Sequence, residues 1–233
     1  MFKRLFKWLL KLSLAAIVLS LAMVLSVGYF NPSHSALMLE RKLSRWRANE
    51  SYSIGREWIS YEELPDALKL AVIAAEDQLF PEHKGFDINA IAKAFKRNKS
   101  QSRTTFGAST ISQQVAKNQF LWSGRSYLRK GVEVWFTFLI ESTWSKQRIL
   151  EVYLNSVEWG DGIFGAQAAA QYYFGKDANQ LTQSQANQMA AILPSPLTRS
   201  ASQPSAYTKQ RANWINQQIH QLGGVQFLHK HGL

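Results

Sequence analysis

The chain of 233 residues contains no cysteine. That absence excludes a disulfide framework, a thiolate metal site and a cysteine nucleophile. It is compatible with an oxidising exterior. Acidic residues are also scarce: 16 Asp and Glu stand against 27 Lys and Arg, for a net charge of +11. A basic excess suits an anionic partner, whether nucleic acid, anionic lipid headgroups or a phosphorylated substrate. The sequence has no internal repeat, no low-complexity tract and no sustained period-two alternation, so it reads as a predominantly α protein.

Charge is missing altogether from Leu12 to Phe30, a run of 19 residues. At about 1.5 Å per helical residue, this run approaches the roughly 30 Å of membrane hydrocarbon. Lys3, Arg4, Lys7 and Lys11 precede the run, leaving +7 for the rest of the chain. The basic flank predicts a cytoplasmic tail (1–11), a single transmembrane helix (12–30) and an extracytoplasmic remainder. A cleaved signal peptide, with Ser33-His34-Ser35 as its small-x-small site, is the alternative. It fits less well, because such apolar regions usually span only about 7–15 residues. Residues 31–64, with Trp46, Trp58 and Tyr61 among charges, read as a membrane-proximal lead-in, and 65–233 as the main domain.

Within that domain Pro65 sits at a first helical turn, and Asp66 to Glu76 is apolar nearly all round, which predicts a buried helix. A second helix is expected from Asp87 to Lys96, then a mobile polar loop over 97–107. Thr110 and Gln113 have capping-box spacing for a helix to about Phe120. Further helices are expected over 126–142, from Ser145 to about Asn155, from the Gly160-Asp161-Gly162 turn to Gly175, from Thr182 to Pro194, and over 205–222.

Two polar runs adjoin these buried helices. Glu76 closes the first helix, where burial and the negative helix end raise a carboxyl pKa toward the range of a general acid or base. Asp77 beside it suits a metal ligand or an orienting partner. His83 suits a ligand or proton carrier, or a structural histidine holding the turn to Gly85. In the second run Gln113, Gln114 and Lys117 share a helix face. Ser109 and Thr110 sit at that helix's N-terminus, where free N–H groups bind anions. Arg125, Arg129, Lys130 and Glu133 form a charge cluster before an apolar run, readable as a solvated face or as a buried ionic site. Glu151 and Asn155 suit interhelical bonding. His229 and His231 make a poor metal pair.

Five blocks, in order, resemble glycosyltransferase family 51, the peptidoglycan polymerases of bacterial cell walls. They are Glu76-Asp77, Phe80, His83 and Gly85; Gly107, Ser109-Thr110-Ile111, Gln113-Gln114 and Lys117-Asn118; Arg129-Lys130 and Glu133; Lys146, Ile149-Leu150-Glu151 and Tyr153-Leu154-Asn155; and Gly165, Ala168-Ala169-Ala170 and Tyr173-Phe174-Gly175-Lys176. Leu193-Pro194-Ser195-Pro196 also fits. Ser112 stands where threonine is commoner in the family. The resemblance covers about residues 50–233. The anchor and short tail look like the stand-alone form, and no serine is followed three residues later by lysine, the nucleophile motif of a transpeptidase domain.

The resemblance implies a lysozyme-like, mostly helical glycosyltransferase domain behind the anchor. Its substrate would be lipid II, a disaccharide-pentapeptide on undecaprenyl pyrophosphate, joined to the growing glycan strand by β-1,4 bonds with inversion. It implies Glu76 as base and Glu133 as the second essential carboxylate. Lys117, Arg125 and Arg129, with Lys130, would meet the departing pyrophosphate. Ser109, Thr110, Gln113, Gln114, Asp77 and Asn118 would contact substrate, with Phe80 and His83 shaping the site. A divalent cation (Mg2+ or Mn2+) on the pyrophosphate is compatible, though no ligand set is recognisable. Expected partners are the membrane and other cell-wall synthesis or division proteins, at the bacterial inner membrane. The outward topology argues against nucleic acid. A glycan-cleaving lysozyme relative would share the fold and need one acidic glutamate, but would leave the cations without a task. A non-catalytic membrane scaffold would not explain Glu76 and Glu133 together.

Overall fold

The structure, a computed structural model, describes residues 2–100, 109–124 and 126–233. Helix α1 (Phe2–Tyr29) is the one helix among the described residues long and apolar enough to cross a membrane. It begins in the basic stretch, so the predicted tail 1–11 is largely the first turns of the same helix. Its C-terminal half is fastened to the body. Trp135 Nε1 donates to Ser20 Oγ at 3.0 Å, and Trp144 Nε1 donates to the Val24 carbonyl at 3.0 Å. Arg148 donates to the Val27 and Phe30 carbonyls at 2.7 and 2.9 Å. These are oxygens that a helix end would otherwise leave to water.

Helix α2 (Ala36–Arg47) lies inside the segment 31–64 read as a membrane-proximal lead-in. Ser35 caps it, accepting from the Met38 amide at 3.2 Å. Met38 is its single fully buried residue, so the apolar stripe is too thin to register as a period. Then follow α3 (Asp66–Glu76), α4 (Ile88–Ser100), α5 (Ile111–Phe120), α6 (Tyr127–Thr143) and α7 (Lys146–Ser156). The short strands β1 (Glu158–Gly160) and β2 (Ile163–Phe164) pair antiparallel before α8 (Ala166–Phe174), α9 (Gln183–Ile192), α10 (Ala206–Leu222) and α11 (Val225–His231).

The caps explain these boundaries. Thr110, Ser145 and Thr182 each accept a hydrogen bond from the amide three residues on, as their spacing predicts. Gly175 and Gly223 end α8 and α10 in the left-handed region, at φ +64° and +99°. Three features depart from expectation. Helix α4 runs on to Ser100, so residues 97–100 are helical rather than loop, while 101–107 lie outside the described residues. Helix α11 adds a turn-and-helix after Gly224. The Gly160–Gly162 turn closes a hairpin whose strands are too short to show alternation.

Helix α3 is the centre of the core, with every residue from Leu68 to Ala74 buried. It packs against α9, α10 and α11, while α5 packs against α6 and α7. Asn155, wholly buried on α7, ties the chain before α3 to this core. Its Oδ1 accepts from the Ile59 amide at 2.9 Å and its Nδ2 donates to the Ile59 carbonyl at 2.9 Å. Asn155→Ala would leave two buried backbone groups unpaired, a loss of about 2–4 kcal/mol. The thermal midpoint of the detergent-solubilised protein should fall by about 5–15 °C. An unchanged midpoint would remove this joint from the account.

Candidate active site

The C-terminus of α3 and the face of α5 meet at one hydrogen bond. Gln114 Nε2 donates to Glu76 Oε2 at 2.9 Å, and Gln114 Oε1 accepts from the buried Tyr153 hydroxyl at 3.3 Å. The tyrosine therefore fixes the orientation of the amide. Glu76 keeps part of its surface open to a cavity, yet the protein around it is dense enough to penalise its charge. Burial is the main cause that raises its carboxyl above the ordinary range. The Gln114 hydrogen bond and the fields of Arg211 and Lys117 oppose that rise, and Asp77 adds to it.

Asp77 borders the same cleft, but its oxygens are engaged within the protein. Both its oxygens lie 3.0 Å from His83 Nε2, and Oδ2 accepts from the Ile111 amide at 2.9 Å. His83 Nδ1 accepts from the Gly85 amide at 3.1 Å, which places the ring proton on Nε2. At the start of α5 the Ile111 and Gln113 amides are thus already bonded within the protein. The Thr110 hydroxyl accepts from the Gln113 amide and donates to the Gly85 carbonyl at 2.7 Å, and the Thr110 amide donates to Gln113 Oε1 at 3.1 Å. Thr110 and Gln113 form the buried cap of α5, and Thr110 also lines the cleft that holds Glu76. Phe80 is likewise fully buried, beneath the Lys146 ammonium at 4.6 Å, and does not reach the cavity surface. Asp77 and His83 brace α3 against α5. Ser109 is exposed at the cleft margin.

Glu133 sits in a different electrostatic setting. Arg129 Nη1 donates to its Oε2 at 2.7 Å and Lys130 Nζ to its Oε1 at 2.5 Å. Arg129 is further held by the Gly124 carbonyl at 2.6 Å. Arg125 lies outside the described residues. Lys117 lies within the field of both carboxylates. Burial pushes its ammonium down, Glu133 and more weakly Glu76 push it up, and Arg129 and Lys130 reinforce the burial effect.

Two cavities meet here, and Gln114 lines both. The larger, about 1120 Å³, holds Glu76 and Ser109. The smaller, about 240 Å³, holds Lys117, Asn118, Arg41 and Glu158. The larger cleft is also walled by Arg211, whose guanidinium donates to the Ala75 carbonyl at 3.0 Å and stacks 4.0 Å over Trp214, and by Arg199, 4.6 Å over Tyr207. Sequence reading missed Arg41, Glu158, Arg199 and Arg211. The Arg211–Trp214 spacing, three apart on one helix, was a usable signal, and so was the isolated carboxylate of Val157-Glu158-Trp159.

Among the described residues no three His, Asp or Glu side chains converge as a metal site. Asp77, the one candidate ligand, spends its oxygens on His83 and Ile111. These donors do not fit a protein-held divalent cation.

The arrangement juxtaposes a partly desolvated carboxylate suited to proton abstraction with a cation-lined compartment suited to an anionic leaving group. Gln114→Ala should raise the Glu76 pKa further, since the amide bond favours the charged form. Carbon-detected NMR titration of the labelled carboxylate checks this, and a downward shift would contradict it.

A family model described as "Transglycosylase" matches residues 40–220. The chain is 56% identical over 228 residues to a biosynthetic peptidoglycan transglycosylase of Pseudomonas aeruginosa, covering 98% of this chain and 96% of that protein. A protein of the same name from Stutzerimonas stutzeri is 56% identical over 230 residues, covering 99% and 95%. One from Ectopseudomonas mendocina is 54% identical over 230 residues, with the same coverage.

Proposed function

The chain belongs to the transglycosylase family, and from that premise we propose that it polymerises lipid II into β-1,4-linked peptidoglycan strands, with inversion, releasing undecaprenyl pyrophosphate. The observation that carries this reading is the shared wall at Gln114. A cleft larger than the about 300–1,000 Å³ of ordinary small-molecule sites adjoins a compartment carrying Lys117.

Glu76 takes the proton from the acceptor sugar's 4-hydroxyl as that oxygen attacks the donor's anomeric carbon. The C–O bond to the diphosphate breaks, and the electron pair leaves with it. A positioned base contributes about 10²–10⁴-fold. The larger share comes from cations placed where the leaving diphosphate gains charge. Lys117 supplies one directly, with Arg125 a further candidate from the sequence. Glu133 holds Arg129 and Lys130 by ion pairing, so its part is to position cations rather than to move a proton. Gln114 and Asn118 orient substrate oxygens, and Ser109 meets the glycan at the rim.

The membrane arrangement follows from the substrate. Its lipid tail stays in the bilayer, so the site must work at the bilayer surface. The reading places α1 across the cytoplasmic membrane with its basic end inside and residues 31–233 outside, 65–233 being the catalytic domain. The bonds from Trp135, Trp144 and Arg148 to α1 support a fixed height for the domain. Basic side chains near anionic headgroups add about 1 kcal/mol each.

Glycan cleavage is disfavoured by the cation-lined compartment. Cleavage expels a sugar oxygen rather than a diphosphate, which leaves Lys117 and the cations paired with Glu133 no anion to meet. Incubation with lipid II and, separately, with isolated sacculi distinguishes the readings: polymer is expected from the first and no fragments from the second.

Glu76→Gln should abolish polymer while leaving the circular dichroism spectrum intact. Burial holds the folded-state pKa of Glu76 above its unfolded value, so its ionised form costs stability as pH rises through the carboxylate range. The same variant should therefore melt higher than the wild type near neutral pH, with the gain fading below about pH 4. Near-normal polymer would remove Glu76 from the base role. Lys117→Ala should lower turnover about 10²–10³-fold, and a wild-type rate would move the cationic compartment elsewhere.

A further inference from the structure

Helix α2 lies before the first polar block, yet it forms part of the smaller cavity. Glu40 accepts from the Ser123 amide at 2.8 Å and from its hydroxyl at 2.5 Å, fixing α2 to the segment leading into α6. One residue on, Arg41 lines the same cavity as Lys117. Its Nε and Nη2 both donate to one oxygen of Glu158, at 3.2 and 2.8 Å. The other oxygen, Oε1, is buried with no hydrogen-bond partner among the described residues. The Glu158 side chain is 6% exposed, against 37% for Arg41.

This pairing is a poor use of a guanidinium. Two parallel N–H groups match two oxygens of one anion, and here both converge on a single atom. A diphosphate entering the cavity offers more charge than a carboxylate and several oxygens at fork spacing. Burial already pushes the Glu158 carboxyl up, so it can take a proton when the guanidinium leaves.

We propose that Arg41 is a further substrate-binding residue, which leaves Glu158 to grip the diphosphate of the lipid donor beside Lys117, and that Glu158 is a resident competitor holding Arg41 when the cavity is empty. The proposal rests on the polymerase reading above. The grip tightens as the leaving group gains charge. Once the diphosphate departs, Glu158 reclaims the guanidinium, so the competition limits product retention as well as substrate capture.

The two partners of this ion pair therefore act with opposite sign, which an ion pair serving only stability would not do. Inorganic pyrophosphate is the probe, titrated calorimetrically into the full-length detergent-solubilised protein, with lipid II initial rates measured alongside. Arg41→Gln should weaken pyrophosphate by about 10–100-fold, the range for a lost charge-assisted bond, and raise the KM for lipid II. Arg41→Lys should recover part of both, and it carries the test if the glutamine variant does not fold. Glu158→Gln should tighten pyrophosphate several-fold. Equal pyrophosphate affinity in all variants, or loss in both Arg41→Gln and Glu158→Gln, would overturn the proposal, even in a protein that polymerises lipid II. Absence of polymer from the wild type would instead strike the polymerase reading, and the affinity pattern would still decide the role of Arg41.

Discussion

A neutral amide, rather than a cation, holds the Glu76 carboxylate, and the chemistry of the site follows from that choice. A guanidinium at the position of Gln114 would have made Glu76 one half of an ion pair, with its pKa depressed and its basicity spent. The amide offers one hydrogen bond, enough to aim the oxygen but not enough to cancel the cost of burying charge. Tyr153 turns the amide, and the capping box at Thr110 sets the start of α5. Asp77, bridging His83 and the Ile111 amide, locks α5 to the end of α3. Each of these contacts serves the geometry of a single bond.

The second carboxylate is built in the opposite way. Glu133 is buried as deeply as core residues but has a cation on each oxygen. Removing either cation would leave buried charge uncompensated, which is why such pairs are costly to break. Its neighbours are thereby pinned, and Lys117, without a carboxylate partner of its own among the described residues, stays available to an incoming anion. Arg41 is intermediate: it is paired, but with an anion that a diphosphate can displace. The site thus grades its charges from committed to free.

Much of the fold was legible because it rests on local chemistry. Asp66–Glu76 is apolar nearly all round, and Thr110, Ser145 and Thr182 are caps with unambiguous spacing. Helix α2 escaped because it buries little, and the hairpin because two- and three-residue strands carry no period. In the site, Glu76 could be found from its place at the end of a buried helix. The roles of Phe80, Thr110 and Gln113 could not, since a polar run beside a helix looks the same whether its atoms point at a ligand or at one another. Arg41 reaches the smaller cavity from a helix before the first polar block and Arg211 reaches the larger cleft from one near the C-terminus, and only tertiary packing brings them there.

The central claim is that a carboxylate made basic by burial at position 76 limits the reaction. The most direct measurement is the pH dependence of kcat/KM for labelled lipid II, in the wild type and in Gln114→Ala. The account predicts an acid limb lying above the ordinary carboxylate range, moving to higher pH when the amide is removed. A limb at the ordinary carboxylate pKa, or one that stays in place in the variant, would contradict it.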